Sequence, residues 1–287
     1  MGKIVLTGYT GFIGRKLRLA RDRQNLPTHL WNLRHNNWKE FLGARSESFS
    51  NCVVVHLAGE TNVLKSWDHP ERTIANNLRC LLEVLEFCRH TGGRVVMAST
   101  AFSEDQKIAS SEEGKSPNSP YHLSKAMSEE LCRFFSSAYG VNCQILRIFS
   151  VYGDSQPTSS LIPTVIQQVV SSSDEIQIQS LHAIRDFVHV DDVVMAIECA
   201  IGVNPMGFSS YQIGTGQGTS VEDLIELIQS LAGTQKQVVT VGGLHQKDRN
   251  CVVAQTDDCR SLGWKAQMSL RDGLETLLSR LKNTTDA

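Results

Sequence analysis

The chain has 287 residues, 41% apolar and 20% charged, which is material for a sizeable folded core and unlike a disordered or fibrous composition. Its 28 Lys and Arg against 30 Asp and Glu leave a formal charge of −2, so no broad basic face is expected to hold nucleic acid or an anionic membrane, and any anion site must be local. No apolar run approaches the roughly 20 residues that cross a bilayer, and nothing resembling a secretory leader precedes the first strand, so a cytosolic location is expected.

In chain order, residues 3–7 read as a buried strand, and a helix runs from Ile13 to a stop before Pro27. A second strand is expected at His29–Leu33, a third at 52–58, a fourth at 94–100 and a fifth at 141–148, with helices at about 71–90 and 121–138 between them. Strands alternating with helices predict an α/β fold with a parallel sheet covered on both faces. After Tyr152 the pattern changes: a turn-rich stretch, a short helix over "LIPTVIQQVV", and a helix in "VHVDDVVMAIECAI" capped by Asp191 or Asp192. A strand and turn follow at 211–216, then an amphipathic helix at 220–233 capped by Ser220, and a last helix from about Ser269 to Leu281. The rear half thus reads as a smaller domain interleaved with the first. The eight cysteines form no CxxC pair and no zinc-spaced Cys/His cluster, and several lie in apolar runs; reduced thiols, no disulfide and no metal are expected.

The stretch "TGYTGFIG" places Gly8, Gly11 and Gly14 directly after a strand and into a helix. Gly8 permits the turn, Gly11 lets backbone approach a phosphate, and Gly14 lets the helix pack on the strand, which together describe a pyrophosphate turn of a Rossmann-like, doubly wound sheet. A plain strand-to-helix turn is the alternative on the glycines alone. Where the second strand runs out the sequence reads "WNLRHNN", with Arg34 in place of the carboxylate that would bind the ribose diol of NAD. A guanidinium suits a 2′-phosphate through bidentate, charge-assisted bonds, so NADP(H) is the preferred cofactor; a solvated loop arginine would leave NAD(H) possible.

In "SPYHLSKAMSEE", Tyr121 and Lys125 are four apart on one helical face. A phenol of ordinary pKa near ~10 moves protons poorly at neutral pH, and a nearby ammonium would favour the phenolate. "MAST" (97–100) ends the fourth strand and offers Ser99 and Thr100 as hydroxyls for a substrate oxygen at the carboxyl edge of the sheet, where ligands of doubly wound folds bind.

With "HLAGET", "NNLRCLLEVLEFC", "LRIFSVYG", "RDFVHVDD", "YQIGTGQGTSVEDLI" and "LGWKAQMSLRDGL", these motifs make nearly the whole chain resemble the extended short-chain dehydrogenase/reductases, the NAD(P)-dependent nucleotide-sugar epimerases, dehydratases and reductases. The resemblance implies Tyr121 as acid/base, Lys125 on the nicotinamide ribose and Thr100 on the reacting oxygen. It also implies a cofactor cradle of Gly8, Thr10, Gly11, Phe12, Ile13, Gly14, Leu57, Ala58, Gly59, Asn77, Ala98, Ser99 and Ile148. Ser150, Arg185 and Arg249 are implied on the substrate side, Arg185 gripping the diphosphate of a nucleotide sugar. The alternatives are an Arg185–Asp186 surface pair, an Asn77 that satisfies sheet backbone, and no role for Arg249, whose segment does not align firmly. The expected domains are residues 1–152 with about 183–215 for the dinucleotide and about 153–182 with 216–287 for the substrate.

Departures from the family pattern narrow the reaction. Thr100 is followed by Ala101-Phe102-Ser103 rather than the Asp-Glu pair of the dehydratases, Ser150 replaces an asparagine common in epimerases, and the connection before "CVVVHLAG" is short enough to have lost a strand or an acidic adenine contact. The expected activity is NADPH-dependent reduction of a nucleotide-linked 4-keto-6-deoxyhexose. A 4-epimerase with tightly bound NAD is the close rival, and a catalytically silent NADP(H) sensor or scaffold is the rival of another class. The family resemblance further implies a homodimer through the helices at about 71–90 and 121–138.

Overall fold

A computed structural model describes residues 3–44, 48–103, 119–241 and 251–285, and the chain divides into two units. The first comprises Met1–Ile148, Val194–Gln212 and Ser261–Trp264; the second comprises Phe149–Val193, Ile213–Arg260 and Lys265–Ala287. Residues 149–152, 183–193 and 213–215, expected with the dinucleotide-binding domain, therefore fall in the second unit, and 261–264, expected with the substrate domain, fall in the first.

The first unit opens with β1 (Ile4–Thr7), α1 (Phe12–Arg23), β2 (Thr28–Trp31), α2 (Trp38–Gly43) and β3 (Val53–His56). It continues with α3 (Val63–Asp68), α4 (Pro70–Thr91), β4 (Arg94–Thr100), α5 (Pro120–Tyr139) and β5 (Cys143–Ile148). The chain then forms β6 (Ser150–Tyr152), α6 (Leu161–Val170), β7 (Glu175–Ile178), β8 (Ile184–Arg185) and β9 (Phe187–His189) in the second unit. Helix α7 (Val190–Gly202) leads back to β10 (Phe208–Ile213), and β11 (Thr219–Ser220), α8 (Val221–Ala232), β12 (Gln237–Thr240), β13 (Cys251–Val252) and α9 (Leu270–Thr285) complete the order.

Six strands form one sheet in the order β10-β5-β4-β3-β1-β2. The pairs β2–β1, β1–β3, β3–β4 and β4–β5 are parallel, and their near-continuous burial is the reason the sequence shows apolar runs rather than alternation. At the β10 edge, Cys143 N donates to Gly207 O (2.9 Å) and Phe149 N to Ile213 O (3.0 Å); the partners advance together, so this pair is parallel too. The sheet is Rossmann-like: the chain leaves β1 for β2 on one side and returns to β3 on the other, which makes the carboxyl ends of β1 and β3 a topological switch point. The short connection after β2 carries α2 and, among the described residues, no strand, as its length predicts.

One face of the sheet is sealed by Trp31, Phe41, Phe49 and Phe87, with ring centroids 4.9 Å apart for Trp31–Phe41 and 5.2 Å for Trp31–Phe87. Truncating Trp31, 1% exposed, would cost about 3–5 kcal/mol through lost burial and a cavity. In the second unit, α6, α8 and α9 bury Ile162, Val165, Leu224, Ile228 and Leu274 around Phe187 and Tyr152. Ser220 caps α8 as expected, accepting from Asp223 N at 3.0 Å. Asp191 and Asp192 do not cap α7, which already begins at Val190. Asp192 is buried and instead accepts from Gln267 N and Met268 N, both at 3.0 Å, which fixes the approach to α9.

Candidate active site

The β1–α1 turn is built around absent side chains. Gly8 has φ +70, and a Cβ there would lie 2.4 Å from the Leu57 carbonyl carbon; a Cβ at Gly14 would lie 2.2 Å from Gly8 O. The turn can therefore sit against the end of β3 and α1 against β1 only with glycine at these positions. Gly11 precedes α1 in extended backbone and donates its N–H to Gly8 O (2.9 Å), and no side chain caps the helix. The first N–H groups of α1, from Phe12, Ile13 and Gly14, are thus presented with the positive end of the helix dipole toward any anion at the turn.

A cleft of about 690 Å³ opens in front of this turn. Its walls include Tyr9, Thr10 and Gly11, Leu57, Ala58 and Gly59, and Asn32 to His35 beyond β2. The turn that carries Arg34 is fastened to the core: Trp31 Nε1 donates to Asn36 O (3.1 Å), and Arg34 N donates to Asn32 Oδ1 (3.1 Å). Asn77 fixes Glu60, which also lines the cleft, accepting from Glu60 N (2.7 Å) and donating through Nδ2 to Glu60 O (3.1 Å) and Ser124 Oγ (2.9 Å). It serves loop backbone, not sheet backbone, and ties the cleft to α5.

Around the expected chemical centre, Thr100 and Lys125 are buried and Tyr121 is half-buried. Thr100 pairs in register with Ile148 at the carboxyl ends of β4 and β5. Lys125 Nζ donates to Ala98 O at 2.9 Å. Burial pushes the Tyr121 phenol up to about 12. Burial also brings the Lys125 ammonium down to about 8, with Glu129 pulling it back up. The expectation that Lys125 draws the phenol toward neutrality does not describe this arrangement: desolvation dominates at Tyr121, and the ammonium is directed to a carbonyl.

Ser99 and Thr100 diverge, as adjacent strand residues do. Ser99 Oγ donates to Glu129 Oε1, and the same buried carboxylate receives Arg147 Nη2 at 2.8 Å. The Ser99 hydroxyl is therefore part of a Ser99–Glu129–Arg147 network between β4, α5 and β5 and is not offered to a substrate. Beside it, His56 and Thr7 Oγ1 share a hydrogen bond (2.9 Å) linking β3 and β1, and burial, then Lys125, pushes this imidazole down to about 3.

The family model of the NAD dependent epimerase/dehydratase family matches residues 4–214, from β1 through the end of the parallel sheet. The chain belongs to this family. It is an extended short-chain dehydrogenase/reductase. An uncharacterized UDP-glucose epimerase, YtcB of Bacillus subtilis, is 27% identical over 98% of this chain and 98% of its own length. GDP-6-deoxy-D-mannose reductase of Pseudomonas aeruginosa is 24% identical over 96% of both chains. Among solved structures, MoeE5 in complex with UDP-glucose and NAD matches 99% of this chain and 100% of its own, with 26% identity and a TM-score of 0.84.

Within this family member, Gly8 to Gly14, Arg34, Leu57 to Gly59, Asn77, Ala98 to Thr100, Tyr121, Lys125 and Ile148 all lie in the first unit. Ser150 and Arg185 lie in the second, on β6 and β8, and Arg249 lies outside the described residues. Asp186 is fully buried and accepts from Thr215 N (2.8 Å), Thr215 Oγ1 (2.6 Å), Gly216 N (2.8 Å) and Ala254 N (3.2 Å). Its carboxylate is spent on that turn rather than on a surface pair. Sequence reasoning missed Arg72, Asn76, Arg79 and Cys80, which line the cleft from α4; their spacing of four, three and one puts them on one helical face, the signal that would have found them.

Proposed function

We propose that the enzyme uses NADPH to reduce a nucleotide-linked 4-keto-6-deoxyhexose. The observation that carries this reading is Arg34, which lines the cleft where an NAD-binding site of this topology would place a carboxylate. The glycine cradle and the uncapped start of α1 fit a dinucleotide pyrophosphate. When bound, the reduced nicotinamide supplies a hydride to the ketone carbon. Thr100 holds the ketone oxygen by hydrogen bonding, and Tyr121, protonated at neutral pH with its phenol up at about 12, donates the proton to it. Lys125 binds the nicotinamide ribose and carries positive charge beside the developing alkoxide. Arg185 grips the substrate diphosphate and Ser150 contacts the sugar, as the resemblance implies.

A 4-epimerase is the second reading, favoured by the likeness to the Bacillus subtilis epimerase and to a structure bound to UDP-glucose and NAD. The two separate on one assay: purified enzyme with NADPH and a panel of nucleotide-linked 4-keto sugars, followed by loss of reduced-cofactor absorbance. Net oxidation of NADPH with one of them is expected, and Arg34→Asp should shift preference toward NADH. Stoichiometric copurified NAD with interconversion of 4-epimers and no net redox would replace the reductase by the epimerase. Tight NADPH binding with no turnover of any sugar would instead make the protein a sensor.

A further inference from the structure

Helix α4 lines the cleft with Arg72, Asn76, Arg79 and Cys80, and the turn after β2 lines it with Arg34. Among the described residues three guanidinium groups therefore line it, against one carboxylate, Glu60. Glu60 is already engaged: its Oε1 lies 3.5 Å from Arg72 Nη2. Glu83, one turn beyond Arg79 and well placed for an i,i+4 pair, turns its Oε2 to the N–H of Trp38 at 2.8 Å, at the start of α2. Among the described residues neither Arg34 nor Arg79 has a carboxylate within ion-pair distance.

These two arginines come from different elements yet converge. Arg34, Arg79 and Cys80 line the same cleft, and while burial raises the thiol of Cys80, Arg79, then Arg34, pull against that rise. Two like charges facing one cavity without a counter-ion repel, and an anion between them relieves the repulsion while receiving two charge-assisted forks. The pyrophosphate has its own seat on the start of α1. A phosphate monoester, with about −1.5 to −2 charges at neutral pH, matches two arginines where a ribose diol matches neither.

We infer that Arg79 is a second ligand for the 2′-phosphate of NADP(H), clamping it together with Arg34. The inference rests on the NADPH reading above and adds to it a specificity determinant from α4.

The test is titration calorimetry of the full chain with adenosine 2′,5′-bisphosphate and with 5′-AMP, which differ only in the phosphate at issue. Wild type should bind the bisphosphate at least about 10-fold more tightly than AMP. Arg79→Gln should remove about 10-fold of that advantage and leave AMP within about 2-fold, with Arg79→Lys in between because it keeps charge and loses the fork. Thermal melts of each variant exclude unfolding. An equal loss for both nucleotides would make Arg79 an adenine-stacking or structural residue and overturn the clamp, as would no change at all. If wild type prefers the bisphosphate and only Arg34→Gln alters that preference, the NADPH reading stands and the Arg79 assignment fails. If wild type shows no preference, both fail.

Discussion

A phenol held at about 12 is a proton donor at neutral pH, and an ammonium at about 8 is still largely charged there, so Tyr121 and Lys125 rest in the states that the proposed reduction would require. Tyr121→Phe should therefore lower kcat by about 100-fold or more, as removal of a general acid does, while cofactor affinity stays within a few-fold because the ring remains. The pH profile has a definite sign. Lys125 loses its proton as pH rises through about 8, so kcat should decline on the alkaline side of that value. Glu129 is the charge that holds Lys125 up, so Glu129→Gln should move the decline to lower pH. A Tyr121→Phe enzyme with retained turnover, or an alkaline limb indifferent to Glu129, would remove these roles. Thr100, Tyr121 and Lys125 stand out in the sequence by spacing and strand end alone, and the structure places all three in the first unit, with Thr100 and Lys125 buried. Ser99 was misread as a substrate hydroxyl although strand alternation alone allows only one of two neighbours to face the site.

Among the helices, the long ones were legible and the two six-residue ones were not. The apolar stripe of α4 and the amphipathic pattern of α8 span several turns, whereas α2 and α3 each have six residues, too few for a period to show. Even so, α2 carries a local signal: Asn37 and Glu40 form a reciprocal capping box ahead of Phe41. The outer faces of α4 and α5 bear on assembly. Leu82 on α4 is 40% exposed, and on α5 Phe134 and Tyr139 are 54% and 51% exposed, with rings 5.8 Å apart. Such apolar exposure on two long helices is the surface the proposed homodimer would cover. Light scattering at micromolar concentration should give twice the mass of one chain, and Phe134→Glu, which would bury a charge at that contact, should shift the protein to monomer. A wild-type monomer would remove the dimer, and a dimer unaffected by Phe134→Glu would place its interface elsewhere.

At the scale of the whole molecule, the change of pattern after Tyr152 is the sequence's ground for expecting an interleaved second domain, and the division of the chain into two units falls at bounds that no change of pattern marks. The reason lies in α7: one uninterrupted helical pattern begins in the second unit at Val190 and is counted with the first from Val194 onward. No periodicity marks a boundary inside a helix. The first unit also contains a buried titratable group that catalysis does not use. His56, 3% exposed and bonded to Thr7, is driven down to about 3 from an ordinary value of 6.5 by burial and by the charge of Lys125. Between those two values the unfolded chain binds a proton that the folded chain refuses, so stability rises with pH across the interval. The contribution is complete above pH 6.5 and is lost as pH falls toward 3. Melting temperature should therefore drop on acidification from pH 6.5. His56→Gln should be less stable at pH 7 by about 1–2 kcal/mol, through loss of the fitted hydrogen bond, yet show a flatter acid limb because its side chain does not titrate. Parallel melting curves for wild type and variant between pH 6.5 and 4 would mean that other groups carry the acid sensitivity, with His56 serving only as the tie between β1 and β3.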